Sequence, residues 1–414
     1  MRQHGFYVTA GLFLLAFPVP FALAEGSAEH EFDWGSRSRY ADVAGDNSGK
    51  AASVLLRFTL TSDWNSALTS TLEIDHVSSF FKDHHSDGVR FNHQPLIPDP
   101  PGTEVNQAFI ATELSNLTLK LGRQRVNFDN QRFVGGNGFW QNEQTFDALL
   151  GKINLLSNSN FTYSYIINSN RIFGDKGGKH LADDDVVYGT EPGLRPANFW
   201  GDHKHRSHLA RLEWNEWDYT RIVAYAYAID NRDMPGTSND TLGLSYTWRY
   251  KAGAINYRAQ LESAIQKRPE IADTPNLAYY FADFGVGAGA YEVNGRYEVL
   301  GGKNSVSFAT PLGSLHNFSG WADEVTNYVS EGLKDFSVGL LWRSSPFRVE
   351  TRYHTFHAYQ NGDALGTEFD FDLTYKPARK HSVSIRVAYF KPDQQLQPLQ
   401  GSSRKFYLDY AYNL

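Results

Sequence analysis

Arginines and carboxylates recur at alternate positions within the same short segments of this chain. Arg348, Glu350 and Arg352 stand two residues apart, and Glu368, Asp370 and Asp372 repeat that spacing. Side chains two apart in an extended segment share one face. The same parity gathers Arg57, Arg211, Arg258, Arg296 and Arg386 with Glu73, Asp75, Glu213, Glu262, Glu292, Glu298 and Asp409. A guanidinium fork grips a carboxylate through two parallel bonds. Such a face either recognises an acidic solute or pairs with its own carboxylates and stiffens a wall. The sequence leaves both readings open.

Three further arginines, Arg123, Arg125 and Arg132, crowd the stretch Leu121–Gly151, with Asp147 as their expected counter-charge. Arg123 and Arg125 share the parity of Leu117, Leu119 and Leu121. Either a bulge at Gly122 reverses their face, or both sit at the rim above an apolar band. Asp183, Asp184 and Asp185, near His180, offer oxygen ligands for Ca²⁺. They lack the Asp-x-Asp-x-Asp-Gly spacing of a dedicated loop and read more naturally as a solvated acidic loop. His203, His205 and His208 alternate, but Lys204 and Arg206 between them favour a solvated strand start over a metal. Hydrolysis would need a nucleophile, a base and an orienting group. No Gly-x-Ser-x-Gly elbow or convincing Ser/His pair occurs, so no enzyme is expected.

The elements that must hold these residues are strands. About 18 segments of roughly ten residues alternate apolar and polar side chains, the length of a tilted membrane strand. Val54, Leu56, Phe58 and Leu60 oppose Ser53, Arg57 and Thr59; Leu242, Leu244, Tyr246 and Trp248 oppose Thr241, Ser245, Thr247 and Arg249. Every second connector is long: 42–50, 79–104, 126–143, 171–205, 230–238, 265–276, 301–333, 358–366 and 391–403. The connectors between them are tight. This predicts an all-β fold, a closed transmembrane antiparallel β-barrel with long extracellular loops and short periplasmic turns. Both termini are then periplasmic.

Composition agrees. Mean hydropathy is −0.46, yet aromatic residues make up 14%. A barrel reconciles the two, since only alternate residues meet lipid and aromatics girdle both interfaces. No cysteine occurs in 414 residues, which excludes disulfides and thiolate metal sites. Arg2, the apolar run Phe6–Phe17 and Ala22-Leu23-Ala24 read as a secretory signal over 1–24, leaving 25–414 as the barrel. Removing Arg2 takes the formal charge from −7 to −8, a modest mixed balance that does not suggest nucleic acid.

The run Gly122-Arg123-Gln124, Arg132-Phe133-Val134-Gly135, Trp140 and Phe146-Asp147 resembles the signature of the alginate export family of bacterial outer-membrane barrels. Phe308–Asp323, FATPLGSLHNFSGWAD, is similar to that family's threonine-proline and glycine-tryptophan-aspartate segment. The resemblance implies an outer-membrane channel for an anionic solute or polysaccharide such as alginate. Its partners would be lipid, lipopolysaccharide and the barrel assembly machinery. A general diffusion porin without polymer preference is the alternative, and a lipid-modifying barrel enzyme a weaker one. Loops 126–143 and 301–333 are expected to fold over or into the extracellular mouth. Inward carboxylates outnumber inward arginines, so anion preference would require a constriction at which arginines converge.

Overall fold

The computed structural model describes residues 28–90, 94–174, 177, 201–325, 332–393 and 401–414. The expected signal segment 1–24, His180 and the Asp183–Asp185 run lie outside the described residues.

Eighteen long strands form one antiparallel sheet. The first ten are β1 (Glu29–Ala44), β2 (Ser48–Asp63), β3 (Leu68–Phe80), β4 (Gly102–Leu114), β5 (Leu117–Gln124), β6 (Thr145–Asn154), β7 (Asn160–Asn170), β8 (His203–Trp214), β9 (Thr220–Ile229) and β10 (Asn239–Ala252). Then come β11 (Ile255–Lys267), β12 (Leu277–Ala288) and β13 (Tyr291–Leu300), a small hairpin of β14 (Gly302–Lys303) and β15 (Val306–Ser307), and β16 (Leu333–Ser344). The last are β17 (Phe347–Ala358), β18 (Ala364–Ala378), β19 (His381–Pro392) and β20 (Ser403–Tyr412). β1 pairs with both β2 and β20, which closes the barrel and leaves no edge with unpaired backbone groups.

The barrel is apolar outside and polar inside. On β10, Leu242 and Leu244 are 61% and 54% exposed, whereas Thr241 and Ser245 on either side of them are 4% and 2% exposed. Alternation along a pleated strand does this without any special residue. No helix among the described residues is long and apolar enough to cross a membrane; the strands make the crossing.

Connector length sorts less strictly than the sequence suggests. The connectors expected to be tight gather at one end, and the long connectors after β3 and β5 lie at the other. Two expected long connectors on that end, 42–50 and 358–366, shrink to 45–47 and 359–363. Their strands continue past the apolar band into small and polar residues, where pairing persists although the hydrophobic signal stops.

Candidate functional site: an arginine-lined constriction

The two long connectors that carry the signature segments fold into the lumen and meet there. Val134 and Leu312 form a bridge, Gly135 N–H donates to Leu312 O at 2.9 Å, and Ser314 N–H donates to Gln131 O at 2.9 Å. The contact is close: a Cβ on Gly313 would lie 2.2 Å from Arg132 O. Loop 126–143 packs Phe133 on Tyr225, Tyr279 and Phe308, with ring centroids 5.2–5.8 Å apart. Its far end sets Phe139 and Trp140 against Tyr407 of β20. Its apolar contacts therefore reach from the β9–β12 wall to the β20 wall, and the loop crosses the lumen.

Charged groups pin this crossing. Asp129, at the loop turn, accepts from Arg211 at 2.7 Å and is also held by Arg221. Burial pushes the Asp129 carboxyl up, but these two guanidiniums outweigh it and hold it below its usual range. Glu143 sits between Arg57, at 3.2 Å, and Arg125, and accepts from Asn106 at 3.3 Å. Burial again opposes ionisation, and again the two arginines win, leaving Glu143 at about 2. Arg132 lies 2.7 Å from Glu298, both almost fully buried, with its guanidinium over Phe318.

The sequence-predicted arginines divide. Arg57, Arg125, Arg132, Arg258, Arg296, Arg348, Arg352 and Arg386 face inward with Glu350, each with partners. Arg258 and Arg296 share Asp283 at 2.8 and 3.1 Å. Arg348 and Arg386 share Asp372 at 3.2 and 3.3 Å, and Glu350 lies between Arg348 and Arg352. Most of the wall charge is thus spent on holding the wall. Arg123 and Asp147 do not line the pore. Gly122, at φ +126°, stays in register opposite Phe109, so no bulge reverses the face, and Arg123 pairs with outward-facing Ala108 in the ladder. Arg123 and Asp147 meet each other on that outer side at 2.8 Å. Asp147 is no counter-charge for Arg125: that residue lies one beyond the end of β5, turns inward, and binds Glu73 and Glu143 instead. His203 and His205 are buried inside the barrel rather than solvated, while His208 on the opposite face meets Tyr163 Oη at 2.6 Å. Among the described residues no group of three His, Asp or Glu is placed to hold a metal.

Sequence parity named Arg386 and Asp409 but passed over Arg37 and Arg39, which join them in a further cluster. Arg37, Arg39 and Arg386 surround a cavity of about 330 Å³ with Gly138, Phe139 and Asp409. Arg39 is neutralised: Asp409 accepts two bonds at 2.8 and 3.0 Å, and Asp99 lies at 3.3 Å. Its guanidinium lies over the Phe139 ring at 4.3 Å. Arg386 sits between the Phe139 and Trp321 rings, at 4.7 and 4.3 Å, and donates to His316 Nε2 at 3.0 Å. Since arginine only donates, His316 accepts there and is neutral, with its other nitrogen donating to Asp323 at 2.9 Å. Burial pushes the His316 pKa down; Asp323 pulls it up, and Arg386 and Lys405 push it down again.

Arg37 differs from both. It donates to Gln141 Oε1 and Gly138 O, each at 2.9 Å, and to Trp140 O. All three acceptors are neutral, and no carboxylate of the described residues is within ion-pairing distance. The signal that could have found this site was present: Arg37 and Arg39 stand two apart, as Arg348 and Glu350 do.

Solved structures share this architecture. Pseudomonas aeruginosa OpdK with vanillate aligns with a TM-score of 0.69 and 10% identity, over 93% of this chain and 98% of that one. Acinetobacter baumannii OccAB4 gives 0.71 and 10%, over 93% and 97%. The fold of these structures is the closed 18-stranded antiparallel barrel seen here. Pseudomonas aeruginosa OccK9 (OpdG) gives 0.67 at 13% identity, over 93% and 98%. Identities this low carry the fold alone. No protein-family model matches the sequence, and no curated protein does.

Proposed function

We propose that the chain is a passive outer-membrane channel for small anionic solutes, with the long connectors extracellular and both termini periplasmic. The observation that carries this reading is Arg37, a half-buried positive charge whose hydrogen-bond acceptors are all neutral, beside a cavity it shares with Arg39 and Arg386. In a low-dielectric constriction an uncompensated charge sets the field that an ion meets. Phe139 and Trp321 add ring faces next to the arginines. A compact carboxylate with an apolar body suits both features and the cavity volume. The vanillate of the OpdK structure is an anion of this size.

An anionic polysaccharide such as alginate is the second reading. What favours it is the spread of inward arginines over several strands and the two signature segments at the crossing itself. Lipid, lipopolysaccharide and the assembly machinery are the partners such a barrel would meet. The test is block of the small-ion current by benzoate, a uronate monomer and a uronate oligomer in planar bilayers. Block by benzoate and the monomer supports the compact solute. Block by the oligomer alone supports the polymer, and block by none favours a general diffusion porin.

A further inference from the structure

Away from the constriction, the inner wall at the tight-turn end carries positive charge that its neighbours do not balance. Arg249 stands directly opposite Arg258 in the β10–β11 ladder. Like charges in directly opposed positions repel. Arg258 is compensated, donating to Asp283 and Glu292 at 2.8 Å each. It lies flat across Gly285, where a Cβ would come within 2.7 Å of its Nε, so the missing side chain clears its path. Arg249 and Lys251 have no such partners; neither forms an ion pair with any described residue.

Both residues open onto space. A cavity of about 300 Å³ is lined by Arg249, Lys251, Asn256 and Arg258 together with Glu292, whose carboxylate Arg258 engages, and a second of about 840 Å³ adjoins it through Arg249 and Tyr219. Tyr219, at φ +62°, accepts the Arg249 N–H at 2.9 Å, which fixes the floor where the two cavities meet. The second cavity also contains Arg211 and Arg221, but these are already taken by Asp129 and Glu213. The charge left over is therefore that of Arg249 and Lys251, two residues apart on one face and about 7 Å from each other along the strand.

We propose that this is a second anion site, separate from the constriction, which takes dicarboxylates: one carboxylate at Arg249 and one at Lys251. It rests on the anion-channel reading. Its place at the turn end means that a dianion would be held there before or after crossing the arginine cluster. A monocarboxylate satisfies only one of the two cations and binds more weakly.

The experiment is block of single-channel current by glutarate and by butyrate, applied to each side in turn. The sides are identified by a cysteine introduced in the turn 253–254, which is unique because the chain has none. Glutarate on the turn side is expected to block at about tenfold lower concentration than on the loop side, and butyrate to show no such asymmetry. Arg249→Gln with Lys251→Gln should abolish the asymmetry, whereas Arg249→Lys with Lys251→Arg should keep it. Equal block from both sides in wild type, or asymmetry that survives the double glutamine variant, would overturn the site. Cation preference together with no block from either side would instead overturn the channel reading on which it stands.

Discussion

Neutralising Glu143 should loosen the loop that crosses the lumen. Its carboxyl is held from an ordinary 4.5 down to about 2 by Arg57 and Arg125 against the cost of burial. That difference, at about 1.36 kcal/mol per pKa unit, is roughly 3 kcal/mol of stabilisation of the ionised, docked state. The folded value lies below the unfolded one, so this contribution is complete above about pH 4.5 and is lost as pH falls towards 2. Glu143→Gln removes the charge at every pH. Arg57 keeps Asp75 at 2.6 Å and Arg125 keeps Glu73, so the barrel wall survives and the loop bears the loss. At about 1.4 kcal/mol per tenfold, a loss of 3 kcal/mol raises the undocked fraction roughly a hundredfold. In single-channel recordings the variant at pH 7 should flicker to higher conductance, as wild type should near pH 3, and its acid transition should be much reduced. A variant that is quiet at pH 7 and keeps the wild-type acid transition would refute the reasoning.

Other perturbations test the same crossing. Arg132→Ala strands Glu298 in a buried site, a change worth about 3–5 kcal/mol, and should raise mean conductance and open-channel noise. Gly313→Val places side-chain atoms against Arg132 O and should separate the two loops, seen as faster proteolysis between residues 126 and 143. Deleting residues 130–141 should raise conductance outright, and an unchanged value would show that the loop does not obstruct the lumen. Gly122→Val meets Ala108 O at 2.2 Å in a left-handed backbone and should lower the yield of heat-modifiable folded barrel on gels by severalfold.

Much of the barrel is legible in the sequence because membrane strands obey a single period. Leu242 and Leu244 against Thr241 and Ser245 state the face of β10 without knowledge of its neighbours. The strand ends are less legible, since pairing at Ala44 and Ser48 continues where apolar residues no longer mark it. Parity also handles Arg123, which stays at the outer rim, but fails two residues later at Arg125, where the strand ends and the period no longer applies. The crossing itself has no period to read. Val134 meets Leu312, and Arg37 meets Gly138, through contacts between residues far apart in the chain. Only the placement of Arg37 against three neutral acceptors shows that its charge is left over, and no spacing in the sequence encodes that.

The central claim is that Arg37, beside Arg39 and Arg386, sets the selectivity of the lumen. It is tested most directly by the reversal potential across a KCl gradient, in wild type and in Arg37→Gln. Wild type is expected to prefer chloride, and Arg37→Gln to move the reversal potential towards zero while folded barrel yield is unchanged. A wild-type pore that prefers potassium, with a reversal potential that Arg37→Gln leaves where it was, would contradict the account.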